Sequence, residues 1–170
     1  MGARTLSEIA KKMKDIDFCM LTTVTEGGQL SSGPMSNNRD VDYDGDSWFF
    51  AYEDARFIRD VQGNDQFGLT FAGDKSLLGK PGIFIGTEGK ASLTKGRVAL
   101  EQRWVDDMER WFSQGIETPG IVLLKVRASR VHYWDSEEEG EVKVQRPRLA
   151  APTKLAPLRG SPEAVLRRLC

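Results

Sequence analysis

Residues 121–135 read IVLLKVRASRVHYWD, the longest β signal in the chain. The run is rich in Val, Ile, Leu and aromatic residues, and its second half, Arg130-Val131-His132-Tyr133-Trp134, alternates polar with apolar as a half-buried strand does. Working outward, EVKVQ (141–145) follows the acidic turn SEEEG and is expected to pair back onto the long strand. Upstream, VALEQRWVDDMERWF (98–112) places Val98, Leu100, Trp104, Met108, Trp111 and Phe112 along one helical face, closed by Gly115 and Pro119. Further upstream, GIFIGTEG and KASLTKG read as two strands joined around Gly89, and QFGLTFAG (66–73) as another.

Strands also dominate the first third. FCMLTTV (18–24) and QLSSGPMS (29–36) flank Gly27-Gly28 and form a hairpin. NNRDVDYDGD is turn-rich, sharpest at Asp44-Gly45, and leads into the aromatic strand SWFFAY (47–52). ARFIRDVQG (55–63) is a short helix with Phe57, Ile58 and Val61 apolar. At the start, Thr5-x-x-Glu8 is a capping-box pattern before Leu6, Ile9, Ala10 and Met13, which predicts a helix over about 5–15. Six or seven strands in succession, with few helices between them, predict a mainly β chain folded as a small antiparallel barrel.

At 170 residues the chain fits one domain. No apolar run approaches the roughly 20 residues of a membrane span, and MGARTLSEIAKKMKDID lacks a signal-peptide core, so a cytoplasmic protein is expected. Cys19 and Cys170 are far apart, which fits free thiols in a reducing compartment. The net charge of −1 hides an asymmetry: residues 146–170 carry Arg146, Arg148, Lys154, Arg159, Arg167 and Arg168 against Glu163 alone, a balance of +5, leaving −6 on residues 1–145. That tail, with a short helix over SPEAVLRRL, reads as a solvated basic extension to a domain spanning 1–145 rather than a nucleic-acid arm.

Several chemistries find no residues. There is no GxGxxG or GxxxxGK[ST] loop, no CxxC, and a single histidine, His132, so no metal site is expected. Difficult chemistry would have to come from a bound cofactor. One place suits an anion: the strand-to-helix step at Asp54-Ala55-Arg56, where a helix N-terminus offers unpaired N–H groups beside a guanidinium. Lys75 and Lys80, in the loop DKSLLGKPG, could lend further charge.

MLTTVTEGGQLSSGPMS, YDGDSWFFAYEDARFIRDV, EQRWVDDMERWFSQGIETP and IVLLKVRASRVHYWD together resemble the bacterial general stress proteins, relatives of pyridoxamine 5′-phosphate oxidase with the FMN-binding split-barrel fold. The likeness spans about residues 5–140. It implies a split barrel of six or so antiparallel strands with flanking helices, forming a homodimer with flavin, FMN or FAD, at the subunit interface. The implied cofactor contacts are Met35 and Ser36 at the end of the second strand, Phe49, Phe50 and Ala51 on the third, and Asp54 and Arg56 at the helix start. Trp111 and Trp134 complete the implied set.

The chain departs from its relatives at the phosphate. Where the family commonly has Ser-Arg-Pro-Met, this chain has Ser32-Gly33-Pro34-Met35; where it has Ser-x-Lys, this chain has Ala55-Arg56-Phe57. With each charge-assisted contact worth roughly 1.5–3 kcal/mol, losing two and regaining one through Arg56 weakens binding by about one to two powers of ten. The leading expectation is a flavin-binding stress protein of the oxidase-like class. The alternatives are an active flavin-dependent oxidoreductase, such as an oxidase of pyridoxamine phosphate or a flavin reductase, and a decayed site serving as an interaction module.

Overall fold

A computed structural model describes residues 4–37, 43–74, 82–135 and 138–144. The basic tail 146–170 and the short helix expected in it, Cys170, Lys75 and Lys80 lie outside the described residues. The elements run α1 (Leu6–Met13), β1 (Phe18–Val24), β2 (Leu30–Ser36), β3 (Asp46–Tyr52), α2 (Arg56–Gly63), β4 (Gln66–Ala72), β5 (Phe84–Thr94), α3 (Arg97–Arg103), β6 (Ile121–Asp135) and β7 (Glu138–Lys143). Two short 3-10 turns, Asp106–Arg110 and Gly115–Glu117, join α3 to β6.

The seven strands form one antiparallel sheet in the order β2-β1-β4-β5-β6-β3, with β7 added beside β6. The sheet curls without closing: β2 and β3 end the order, each paired on one side only. The inward positions of β1, β4, β5 and the first half of β6 recur every second residue, so Cys19, Leu21, Phe67, Leu69, Phe71, Ile85, Val122, Leu124 and Val126 fill one core. Helix α1 closes it with Ile9 and Met13, and α2 with Ile58 and Val61. The expected capping box is present: the Glu8 amide donates to Thr5 Oγ1 at 3.3 Å and the Thr5 amide to Glu8 Oε2 at 2.7 Å.

Two expectations are corrected. Residues 84–94 are one strand, not two joined at Gly89. The irregularity is a bulge where β5 meets β6, with Glu88 opposite Arg130 and Gly89 opposite Ala128, so Ser129 is the extra residue. The bulge shifts the inward phase of β6 from Val122, Leu124, Val126 and Ala128 to Val131 and Tyr133. A Cβ at position 89 would run into the Arg127 carbonyl oxygen, so the close approach of the two backbones there requires glycine. The second correction concerns residues 98–112, expected as one helix. Helix α3 stops at Arg103, and Trp104 and Val105 are extended before the 3-10 turn at 106–110. The break folds this segment over the outer side of β3, where Leu100, Phe112, Ile121 and Leu123 form a second core with Trp48, Phe50, Trp104 and Met108 packed against it. Packing overrides the helical pattern here.

Candidate functional site

The gap between the edge strands β2 and β3 is a cleft of about 360 Å³. That is within the usual size range of small-molecule sites. Pro34, Met35 and Ser36 of β2 form one wall, and Trp48 through Tyr52 of β3 the other. Phe18 from β1, Ala55 and Phe57 from the start of α2, and Met108, Trp111 and Phe112 from the connection complete the lining. Among the described residues every lining side chain is uncharged.

Packing fixes the walls. Phe50 meets Trp104 edge-on at 5.2 Å between centroids, and Phe112 at 6.3 Å. Phe112 also lies 5.2 Å from Tyr52, whose hydroxyl is 3.5 Å from the Trp111 carbonyl. Arg103 and Lys125 approach the Trp48 ring at 4.4 and 4.6 Å, and Lys125 is tied to Asp46 at 2.7 Å. The cleft is therefore largely aromatic. Because β2 and β3 are edges, it also has backbone N–H and C=O groups free of sheet partners beside its apolar faces. That combination suits a flat heterocycle with hydrogen-bonding atoms on its rim.

Of the nine residues expected at a cofactor, the fold brings Met35, Ser36, Phe49, Phe50, Ala51 and Trp111 together in this lining. Asp54, Arg56 and Trp134 lie outside it. Asp54 is exposed in the turn before α2. Arg56 faces a separate, open groove of about 660 Å³ with Arg59 and the Thr25–Gly28 turn. Its Nη1 is 2.9 Å from Asp60 Oδ2, and that buried carboxylate also accepts the Thr23 hydroxyl at 2.7 Å. Ala55, the extended residue before α2, and Phe57 line the cleft instead. Trp134 sits on the outward side of β6, its ring parallel to His132 at 6.0 Å. Phe18, Tyr52, Met108 and Phe112 also line the cleft and were not singled out as site residues. Phe18 left a signal with Met20, as a large apolar pair on the outward phase of a strand whose inward residues are Cys19, Leu21 and Thr23.

The outward face of the sheet carries a second feature. Phe18, Met20, Phe84 and Trp134 are large, apolar and exposed, and Phe84 is the register partner of Trp134. Arg130 and His132 share this face, Arg130 paired with Glu88 and Glu141, and His132 3.6 Å from Glu141. No group of three or more His, Cys, Asp or Glu residues suited to a metal occurs among the described residues. Nor, among them, is any helix long and apolar enough to cross a membrane.

An open antiparallel sheet, flanked by short helices and split between two edge strands, defines the class of split-barrel proteins. The chain belongs to the pyridoxamine 5′-phosphate oxidase like family, whose model matches residues 4–152. Its structure is similar to that of a Clostridium acetobutylicum protein related to general stress protein 26 of Bacillus subtilis, with TM-score 0.68 and 20% identity over 81% of this chain and 92% of that one. A heme binding protein from Mycobacterium smegmatis is similar at TM-score 0.64 and 12% identity, over 84% of this chain and 60% of that one. A pyridoxamine 5′-phosphate oxidase-related, FMN binding protein from Nostoc punctiforme is similar at TM-score 0.59 and 13% identity, over 80% and 86%. No curated protein matches the sequence significantly.

Of these similar structures, one is named an FMN binding protein and another a heme binding protein. The aromatic walls and free strand edges would suit a flavin ring, and among the described residues the lining carries no cation.

Proposed function

We propose that this chain is a flavin-binding protein that takes the isoalloxazine ring into the cleft between β2 and β3. The observation that carries the reading is the cleft itself: an aromatic slot between two strand edges, each paired on one side only. Two such chains would complete the site. Phe18 belongs both to the cleft lining and to the exposed apolar face with Met20, Phe84 and Trp134, so a second copy docked on that face would border the cleft. Large apolar patches of this kind mark association surfaces. Binding, rather than oxidation of a phosphorylated amine, is the function the geometry supports. Such a substrate needs a cationic pocket of its own, and Arg130 and His132 each lie beside a carboxylate, Glu88 or Glu141.

Titration of tryptophan fluorescence with flavin tests the reading, because Trp48 and Trp111 line the cleft. Saturable quenching at micromolar flavin is expected. No quenching up to about 100 µM, weaker than roughly −5.5 kcal/mol, overturns it.

A further inference from the structure

We propose that the cleft reads its ligand with main chain: the N–H and C=O of Phe50 dock an imide edge, a ring N–H flanked by two carbonyls, such as the isoalloxazine ring carries. This rests on the flavin reading above and adds to it the recognising atoms and the class of heterocycle they admit.

Five consecutive residues of β3, Trp48 to Tyr52, line the cleft, although Phe49 packs into the main core and Phe50 against the second core on the other face. Side chains of both phases meet one cavity only along a strand's edge, so the cleft opens on that edge. Hydrogen-bond phase fixes which groups face it. The Glu53 amide donates to the Gly120 carbonyl and the Ala128 amide to the Gly45 carbonyl, each at 2.8 Å and each in the β3–β6 register. Bonded and non-bonded pairs alternate along an antiparallel ladder. Ser47, Phe49 and Ala51 therefore bond to β6, whereas Trp48, Phe50 and Tyr52 turn N–H and C=O away from it, toward the cleft. The Tyr52 carbonyl accepts the Ala55 amide at 3.0 Å, and Trp48 stands at the far end of the wall. Phe50 is the central donor–acceptor pair.

The facing strand obeys the same rule. The Asn37 amide donates to the Asp17 carbonyl and the Thr25 amide to the Gln29 carbonyl, each at 2.8 Å, so Gly33 and Met35 bond to β1 while Pro34 and Ser36 face away from it. Proline is tolerated at position 34 because its missing N–H falls on the unpaired side, and there this wall offers an acceptor alone. A flat ring in the slot lies edge-on to both strands. Its imide N–H meets the Phe50 carbonyl and a flanking carbonyl meets the Phe50 amide, the contacts an added strand would make.

The experiment has two readouts on the full chain. Riboflavin and 3-methylriboflavin, which differ only at the imide nitrogen, are compared by tryptophan fluorescence titration. The methyl compound should bind about tenfold more weakly or worse, because it leaves the Phe50 carbonyl unpaired. Amide exchange followed by NMR locates the contact. Without ligand, Phe49 and Ala51 should be protected and Phe50 should exchange fast; saturating riboflavin should slow Phe50 about tenfold or more. Equal affinities for the two flavins, a Phe50 amide as protected as Phe49 before ligand is added, or methyl discrimination with no slowing at Phe50 each overturn the proposal and leave the flavin reading standing. If neither flavin binds, both fall.

Discussion

Arg56 and Asp60, one turn apart on α2, are joined at 2.9 Å, and the same Asp60 oxygen accepts the Thr23 hydroxyl of β1 at 2.7 Å. The carboxylate is buried and the guanidinium is 44% exposed. The pair docks α2 onto the first strand and draws the one cation of the strand-to-helix step away from the cleft.

Asp60→Ala should therefore destabilise the fold by about 1–3 kcal/mol, because the buried Thr23 hydroxyl loses its short acceptor. Arg56→Ala should cost under about 1 kcal/mol, as expected of a half-exposed partner. It should also leave FMN affinity within about twofold. Urea unfolding and flavin titration of both variants check these outcomes, and a tenfold loss of FMN affinity in Arg56→Ala would place the phosphate in the groove beside it.

Trp111 separates ligand from scaffold. It lines the cleft yet is 59% exposed, so Trp111→Ala should change stability by less than about 0.5 kcal/mol. Flavin affinity should fall about fivefold, the worth of one aromatic stacking contact. Equal affinities for the parent and the variant would place the ring elsewhere in the cleft.

The outward sheet face offers a test of association. Phe84→Glu puts a charge beside Trp134 on that face, where Phe84 is now 46% exposed. Stability of the single chain should barely change, while a dimer docked there would dissociate. Sedimentation velocity of the parent and Phe84→Glu reads this directly; parent protein that sediments as a monomer removes the interface.

Cys19 gives a pH dependence. Burial pushes its thiol up from 9.0 to about 12, and the Sγ lies 3.7 Å from the Met35 carbonyl oxygen. Below pH 9 the thiol is neutral in both folded and unfolded chains. Above it the unfolded chain ionises first, so the folded state loses stability as pH rises from 9 toward 12, by up to about 1.4 kcal/mol per unit. Urea unfolding of the parent and Cys19→Ala at pH 8 and pH 10 should show the steeper alkaline decline in the parent. Parallel declines would mean the thiol ionises within the fold.

The sequence by itself determined the elements and their class. Period-two alternation in β1 and β4, the β-rich run of β6, the Thr5–Glu8 capping box and the Gly27-Gly28 turn are local patterns, and local backbone energetics decide them. Four segment likenesses then pointed to the split barrel. What the sequence did not show is where continuity breaks. Trp104 leaves the helical pattern because its ring packs edge-on against Phe50, more than fifty residues earlier, and the bulge at Ser129 depends on the approach of Gly89 from another strand. Only the tertiary structure decided the site. The cleft exists because β2 and β3, adjacent in the chain, end at opposite edges of the sheet, and no local pattern encodes that separation. The phase of α2 then turns Phe57 toward the cleft and Arg56 toward Asp60. Long-range packing of Ile58 and Val61 into the core sets that phase, so a cation four residues beyond an aromatic strand could be read from the sequence while its direction could not.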